Sequence, residues 1–239
     1  MSSNLIRINK YLAERGYTTR RGADALIESG KVTINNRRAV LGDKVGPHDS
    51  VAVQGFEQQE FVYLAYNKPK GIVTHGAQGG EKEIKDLLTK RHFRIDVFPV
   101  GRLDKNSTGL IILTNDGRIV EPLLSPECTH EKEYVVTVNE RIRTDFVDLM
   151  SAGVDIGGYV TKPCMVKKIE RSMFRITLTE GKNHQIKRMC DALGYTVREL
   201  KRTRIMNIRL RLLRPGSFRY LKGNELHALL EALSVPSQQ

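Results

Sequence analysis

The sequence predicts an α+β protein in two parts: a small N-terminal unit of about 55 residues and a larger domain that mixes strands with helices. Three observations carry that prediction. Helical spacing of apolar residues gives way to strand-like alternation within the first 53 residues, a polar stretch follows at 54–60, and from Phe61 onward strand-like and helix-like segments mix without a βαβ rhythm. The expected division is 1–60, including the linker, and 61–239.

Ile8, Tyr11 and Leu12 recur at helical spacing, as do Ala23, Leu26 and Ile27, with Gly16 and Gly30 as punctuation. After Gly30 come a strand, a turn at Asn35 and Asn36, a second strand and a third over 50–53. In the larger part, strands are expected at 61–66, 109–114, 133–138, 165–168 and 174–179. Helices are expected at 84–90, 144–152, 185–193 and 224–233. Asn67 to Gly71, with Pro69 inside, reads as a turn.

The 239 residues carry 39 Lys and Arg against 27 Asp and Glu, a net charge of +12 that suits a polyanionic partner. The excess is concentrated. Between Gly181 and Lys222 twelve cations face only Asp191 and Glu199, and they are interleaved with Ile, Leu, Val and Met, so the segment can fold and present a charged face. Arg20 and Arg21 open the second helix, and Arg37 and Arg38 lie beyond the Asn turn, which gives the N-terminal unit a cationic groove. Cys128, Cys164 and Cys190 show neither paired spacing nor a CxxC, arguing against a disulfide framework or a zinc site. No apolar run approaches the roughly 18 residues of a membrane span, and the polar start lacks a secretory stretch, so a cytoplasmic location without membrane attachment is expected.

The densest chemical signal is Gly101-Arg-Leu-Asp104 followed by Ser107-Thr-Gly-Leu110. It sets a carboxylate on a glycine-flanked loop that runs into an apolar strand, where Asp104 can act as nucleophile, general base or electrostatic stabiliser, or simply form the turn. This segment resembles the hallmark of the RNA pseudouridine synthases, and the resemblance implies that Asp104 is the residue the reaction cannot lose. Two further segments match. Lys132-Glu-Tyr134 resembles the one that supplies an active-site tyrosine, implying that Tyr134 stacks on the uracil, and Glu180-Gly-Lys-Asn-His-Gln-Ile-Lys-Arg188 resembles the strand, turn and helix that bring a cation to the catalytic carboxylate. Many relatives have Arg at the first basic position; Lys187 keeps the charge without the fork, and whether Lys187 or Arg188 makes the pair stays open. A cation there favours the ionised carboxylate. The resemblance gives His184 no acid–base role, and it is assigned to structure or RNA contact. Arg102 is a candidate to fill the space of an extruded base, a phosphate contact or salt bridge being the plainer reading.

Residues 7–45 resemble the alpha-L RNA-binding module first named for ribosomal protein S-four, through Asn9-Lys-Tyr-Leu12, Thr19-Arg-Arg-Gly-Ala-Asp24 and Ser29-Gly-Lys-Val-Thr-Ile-Asn35. Together with Asn67-Lys68-Pro-Lys-Gly71, this resembles the RsuA-type branch and, within it, RluF-like members. The resemblance implies a mixed, largely antiparallel central sheet flanked by helices. It also implies RNA contacts by Asn67, Lys68, Arg20, Arg21, Arg37 and Arg38, and a large-subunit ribosomal RNA stem-loop as partner, with tRNA of similar loop as a second; the alternatives are small-subunit rRNA as target, or a non-catalytic, ribosome-associated RNA-binding factor. No metal and no organic cofactor are expected, because no acidic cluster is visible and isomerisation neither gains nor loses atoms. Monomer is the default, since no oligomerisation segment is evident.

Overall fold

Thr19 closes the start of the second N-terminal helix, its hydroxyl accepting from the Gly22 amide at 3.3 Å, and this one cap satisfies a donor that the helix cannot. In the computed structural model, which describes residues 5–55, 60–89, 95–125 and 127–236, the first unit runs β1 (Ile6–Arg7), α1 (Ile8–Glu14), α2 (Arg20–Glu28), β2 (Val32–Ile34), β3 (Arg37–Arg38), β4 (Lys44–Val45) and β5 (Val51–Val53). Asn35 and Asn36 both take positive φ, 49° and 65°, as a two-residue hairpin turn requires, and β2 pairs with β3 on one side and β5 on the other. Ile8, Leu12, Ala23, Ile27, Val32 and Ile34 form a core of this unit's own residues. The two-residue strands β1 and β4 pair with each other and were too short for alternation to reveal. Residues 56–59, the middle of the expected linker, lie outside the described residues.

The rest is β6 (Tyr63–Lys68), α3 (Ile84–Thr89), β7 (Phe98–Val100), β8 (Thr108–Thr114), α4 (Val120–Leu124), β9 (Lys132–Val138), α5 (Phe146–Ala152), β10 (Met165–Glu170), β11 (Met173–Leu178), α6 (Gln185–Ala192), β12 (Val197–Ile205), β13 (Ile208–Arg209), β14 (Phe218–Tyr220) and α7 (Gly223–Ala232). Among the described residues these strands form one nine-stranded sheet in the order β10-β11-β9-β12-β8-β6-β14, with β7 on β8 and β13 on β12. Only β12 and β8 run parallel, so the sheet is mixed and mostly antiparallel.

Both faces are covered. On one, Ala65, Leu110 and Ile112 pack with Leu229 and Leu230 of α7; on the other, Leu64, Tyr66 and Ile111 pack with Ile84 and Leu88 of α3. Further along that second face, Val136, Phe174 and Ile176 meet Phe146 of α5 and Ile186 and Met189 of α6. Phe146 lies edge-on to Phe174 and Tyr195 at 4.8 and 4.7 Å, each such pair adding about 0.5–1.5 kcal/mol beyond burial of area. β6 runs past its expected end at 66, through Asn67 and Lys68, and the expected turn falls at Lys70 and Gly71, after Pro69 removes the next amide donor.

Candidate active site

Asp104 sits in the loop joining β7 to β8, and that loop is pinned on both sides of it. Upstream, the buried Thr74 hydroxyl donates to the Leu103 carbonyl at 2.6 Å and accepts from the Leu103 amide at 3.1 Å. Downstream, the Lys105 carbonyl accepts from the Gly71 amide at 2.8 Å and from Lys68 Nζ at 3.1 Å, while the Ser107 amide returns to the Asp104 carbonyl at 3.0 Å. The carboxylate is thus a half-buried group on a fixed backbone.

The helix α6 supplies its cation. Lys187 Nζ lies 2.7 Å from Asp104 Oδ2, with side chains 30% and 33% exposed, while His184, just before the helix, holds Nε2 at 3.4 Å from Oδ1. Arg188 does not reach the carboxylate: its guanidinium donates to the Ile156 and Gly157 carbonyls. A one-residue step along a helix rotates the side chain by about 100°, so neighbours cannot share one small target. Lys187 is therefore the partner left open by the sequence, and Arg188 as a catalytic residue is corrected to an anchor of the 155–159 loop.

Tyr134 comes to the site through sheet register. Gly109 is the partner of Lys68 on β6 and of Arg202 on β12, and Arg202 is in turn the partner of Tyr134 on β9. Cross-strand partners point to one face, so Lys68, Arg202 and Tyr134 form a row on the face that carries α6, with Tyr134 about 10 Å from Gly109 across two strand spacings. Gly109 has φ 103°, and a Cβ there would collide with the Arg202 carbonyl oxygen, so only glycine allows this parallel pair to close.

Two cations in the row are buried. Lys68 donates from Nζ to the carbonyls of Ile72, Pro69 and Lys105, and burial pulls its pKa down to about 8, partly offset by the Asp104 charge. Arg202, 4% exposed, donates from Nε to the Leu110 carbonyl at 2.7 Å. The expected RNA contacts at Asn67 and Lys68 are corrected accordingly. Asn67 is also buried and donates from Nδ2 to the Leu213 carbonyl at 2.7 Å, so both residues build the site from behind and neither offers RNA a surface. Sequence reasoning missed Thr74 and Arg202 altogether; Arg202 lay within a charged run whose alternation hid a central strand.

Arg102, two residues before Asp104, is exposed. Arg20 and Arg21 are exposed at the start of α2, and Arg20 shares a cleft of about 390 Å³ with Arg7, Lys10 and Lys44. Arg37 and Arg38 are exposed but engaged: Arg37 pairs with Asp43 at 2.9 Å, and Arg38 donates to the Glu28 carbonyl at the end of α2. Cys128, Cys164 and Cys190 are free thiols, and burial pushes Cys164 up to about 11 and Cys190 to about 12. Among the described residues no helix is long and apolar enough to cross a membrane.

The structure brings Lys187 and His184 to Asp104, and the strand register sets Tyr134 in a row with Lys68 and Arg202 on the sheet face that carries α6. The profile of the RNA pseudouridylate synthase family matches residues 62–192, and that of the S4 domain matches residues 6–51. The chain belongs to the RNA pseudouridylate synthase family. The synthase is 46% identical over 241 residues to the dual-specificity RNA pseudouridine synthase RluF of Escherichia coli strain K12, covering 98% of this chain and 81% of that one. It is 36% identical to the uncharacterized RNA pseudouridine synthase YtzG of Bacillus subtilis strain 168, covering 95% of this chain and 99% of the other. A solved structure described as a crystal structure of pseudouridylate synthase superposes with a TM-score of 0.66 at 28% identity, covering 95% of this chain and 99% of that one. The synthase is an isomerase of RNA uridine with an N-terminal S4 domain.

Proposed function

We propose that the synthase converts a uridine to pseudouridine in a stem-loop of large-subunit ribosomal RNA, and in tRNA with a similar loop, with Asp104 as the reacting carboxylate. The observation that carries this reading is the Asp104 to Lys187 pair on a pinned loop, set in a chain 46% identical to a dual-specificity synthase.

Lys187 ties up Oδ2 at 2.7 Å, leaving Oδ1 with the looser contact, and Oδ1 is the oxygen that works. In the nucleophilic route it bonds to C1′ of the ribose as the C1′–N1 bond breaks, the electron pair leaving with uracil. The uracil turns so that C5 faces C1′; the C5–C1′ bond forms as the carboxylate leaves, the C5 proton is lost and N1 gains one, so no atom is added or removed. In the alternative route the same oxygen takes the 2′ proton, and a primary isotope effect with C2′-deuterated uridine marks that route. Tyr134 stacks on the uracil, and exposed Arg102 enters the stack the base has left, which offsets part of the few kcal/mol that extrusion costs. The balanced isomerisation calls for no metal and no organic cofactor.

Residues 1–60 act as a separate RNA-binding domain and 61–239 as the catalytic domain, working as a monomer in the cytoplasm, where both RNA classes reside. Support for the division is the core that the first unit builds from its own residues.

The test is pseudouridine mapping of rRNA and tRNA from cells lacking the protein, complemented with wild type or Asp104→Asn. Loss of a large-subunit site restored only by wild type is the expected outcome. A missing site in small-subunit rRNA would overturn the target, and restoration by Asp104→Asn would overturn the role of the carboxylate.

A further inference from the structure

His184 holds a costly backbone. Its φ and ψ are 51° and 28°, the left-handed region that side chains with a Cβ seldom enter, and it precedes α6 directly. The surroundings enforce this. Its carbonyl accepts from the Arg188 amide at 3.0 Å; Gln185 accepts from the Lys182 amide at 2.9 Å and donates to Glu180 Oε1 at 2.7 Å; and Glu180 Oε2 is held by the Tyr159 hydroxyl at 2.6 Å. Strain that is over-determined from both sides serves whatever the strained residue points at. Here that is Asp104 Oδ1, 3.4 Å from the imidazole Nε2, on the more open side of the carboxylate: the His184 side chain is 52% exposed against 30% for Lys187 on the Oδ2 side.

We infer that His184 is a positioning residue that guards the working oxygen of Asp104, holding Oδ1 loosely when neutral and locking it in an ion pair when protonated. This rests on the reading of Asp104 as the reacting carboxylate. A neutral imidazole at 3.4 Å is a weak contact that an arriving ribose displaces. A protonated imidazole adds a charge-assisted contact that the ribose must break before Oδ1 can reach C1′ or the 2′ proton.

Lys187, one turn after His184, is committed to Asp104 Oδ2; Lys182 lies over the Tyr159 ring at 4.4 Å; Glu180 is tied to Tyr159, Gln185 and the Lys162 amide; and Arg188 turns to the Ile156 and Gly157 carbonyls. On the Asp104 side, Lys68 acts on the carboxylate by its charge while donating to the Ile72, Pro69 and Lys105 carbonyls, and Lys105 pairs with Glu81 at 2.7 Å. Among the described residues Asp104 is the one carboxylate within ion-pair distance of His184.

The experiment follows isomerisation between pH 5 and 8, across the range in which imidazoles titrate. The probe is a pool of unmodified rRNA and tRNA transcripts carrying C5-tritiated uridine, whose tritium is released by turnover, with RNA affinity measured in parallel. Three full-length proteins are compared: wild type, His184→Gln, which keeps a hydrogen-bonding side chain of similar reach, and His184→Asn, which tolerates the left-handed backbone and so protects the fold. Wild-type kcat/KM should fall at least fivefold from pH 7.5 to 5.5, both variants should lose most of that fall, and RNA affinity should agree within twofold among the three. An acid limb that persists unchanged in both variants would overturn the inference. So would variants whose main defect is weaker RNA binding, since His184 would then be an RNA contact. Activity in Asp104→Asn would instead remove the reading on which the inference rests, and that result is separately visible.

Discussion

Lys187 Nζ meets Asp104 Oδ2 at 2.7 Å, although 83 residues separate them in the chain and the next residue, Arg188, turns to a different loop. If this pair sets the carboxylate for reaction, removing the cation should be felt in turnover. Lys187→Met is expected to lower kcat about 10²-fold or more, the scale for losing one preorganised charge at a reacting centre, with RNA affinity nearly unchanged. Lys187→Arg should recover part of the loss, because it keeps the cation but not the shape of the ammonium. Arg188→Ala should leave kcat within a few-fold. Equal losses in Lys187→Met and Arg188→Ala, measured by single-turnover tritium release, would contradict the assignment.

Gly109 is where the sheet closes beneath the site, and its φ of 103° combines with the Arg202 backbone against its α-carbon. Gly109→Ala therefore adds both a strained backbone and an overpacked contact, together roughly 3 kcal/mol or more. Urea denaturation should show the drop in midpoint without a change in slope. A variant as stable as wild type would mean that β8 and β12 can move apart at little cost.

Much of this site was legible because the chemistry sits in contiguous segments. Asp104, Tyr134 and Lys187 were each marked by neighbours in sequence, although which of Lys187 and Arg188 faces the carboxylate was not, and β8 announced itself by an apolar run and β11 by alternation. The elements that join those segments were not legible. β12 is a central strand whose Val-Arg-Glu-Leu-Lys-Arg-Thr-Arg-Ile sequence reads as a charged surface, yet Arg202 is buried on a carbonyl and Arg204 is largely buried against Glu131, while only Arg198, Glu199 and Lys201 are exposed. Lys68 misled for the same reason: a lysine in a motif suggests phosphate, and nothing local says that three carbonyls will surround it. His184 was read only as a structural or RNA-contacting group, since its nearness to Asp104 arises only when α6 docks on the sheet.

The buried Lys68 makes stability depend on pH in a defined direction. Burial lowers its pKa from 10.5 to about 8, so between these values the unfolded chain binds more protons than the folded one and stability rises with pH. The benefit is present above pH 10.5 and is lost as pH falls through about 8, at about 1.4 kcal/mol per pH unit inside the window. Lys68→Met should lower stability by leaving carbonyls without a donor and should also abolish this term. The difference in unfolding free energy between wild type and variant is therefore expected to widen in favour of wild type from pH 8 to 10. A difference that stays constant with pH would show that Lys68 is not held against its charge.

The cations of the N-terminal unit differ in what they are free to do, and salt dependence separates them. Arg20 lines the same cleft as Arg7, Lys10 and Lys44, whereas Arg37 already pairs with Asp43 at 2.9 Å. A phosphate contact contributes roughly 0.7–0.9 to the slope of log affinity against log salt, through the counterions it releases. Arg20→Gln combined with Lys44→Gln should flatten that slope by about 1.5 and weaken binding at low salt, with kcat at saturating RNA unchanged. Arg37→Gln should change the slope by far less, because its charge is already answered within the protein. If Arg37→Gln flattens the slope as much as the double variant, the RNA runs along the β2–β3 hairpin and not across the cleft before α2.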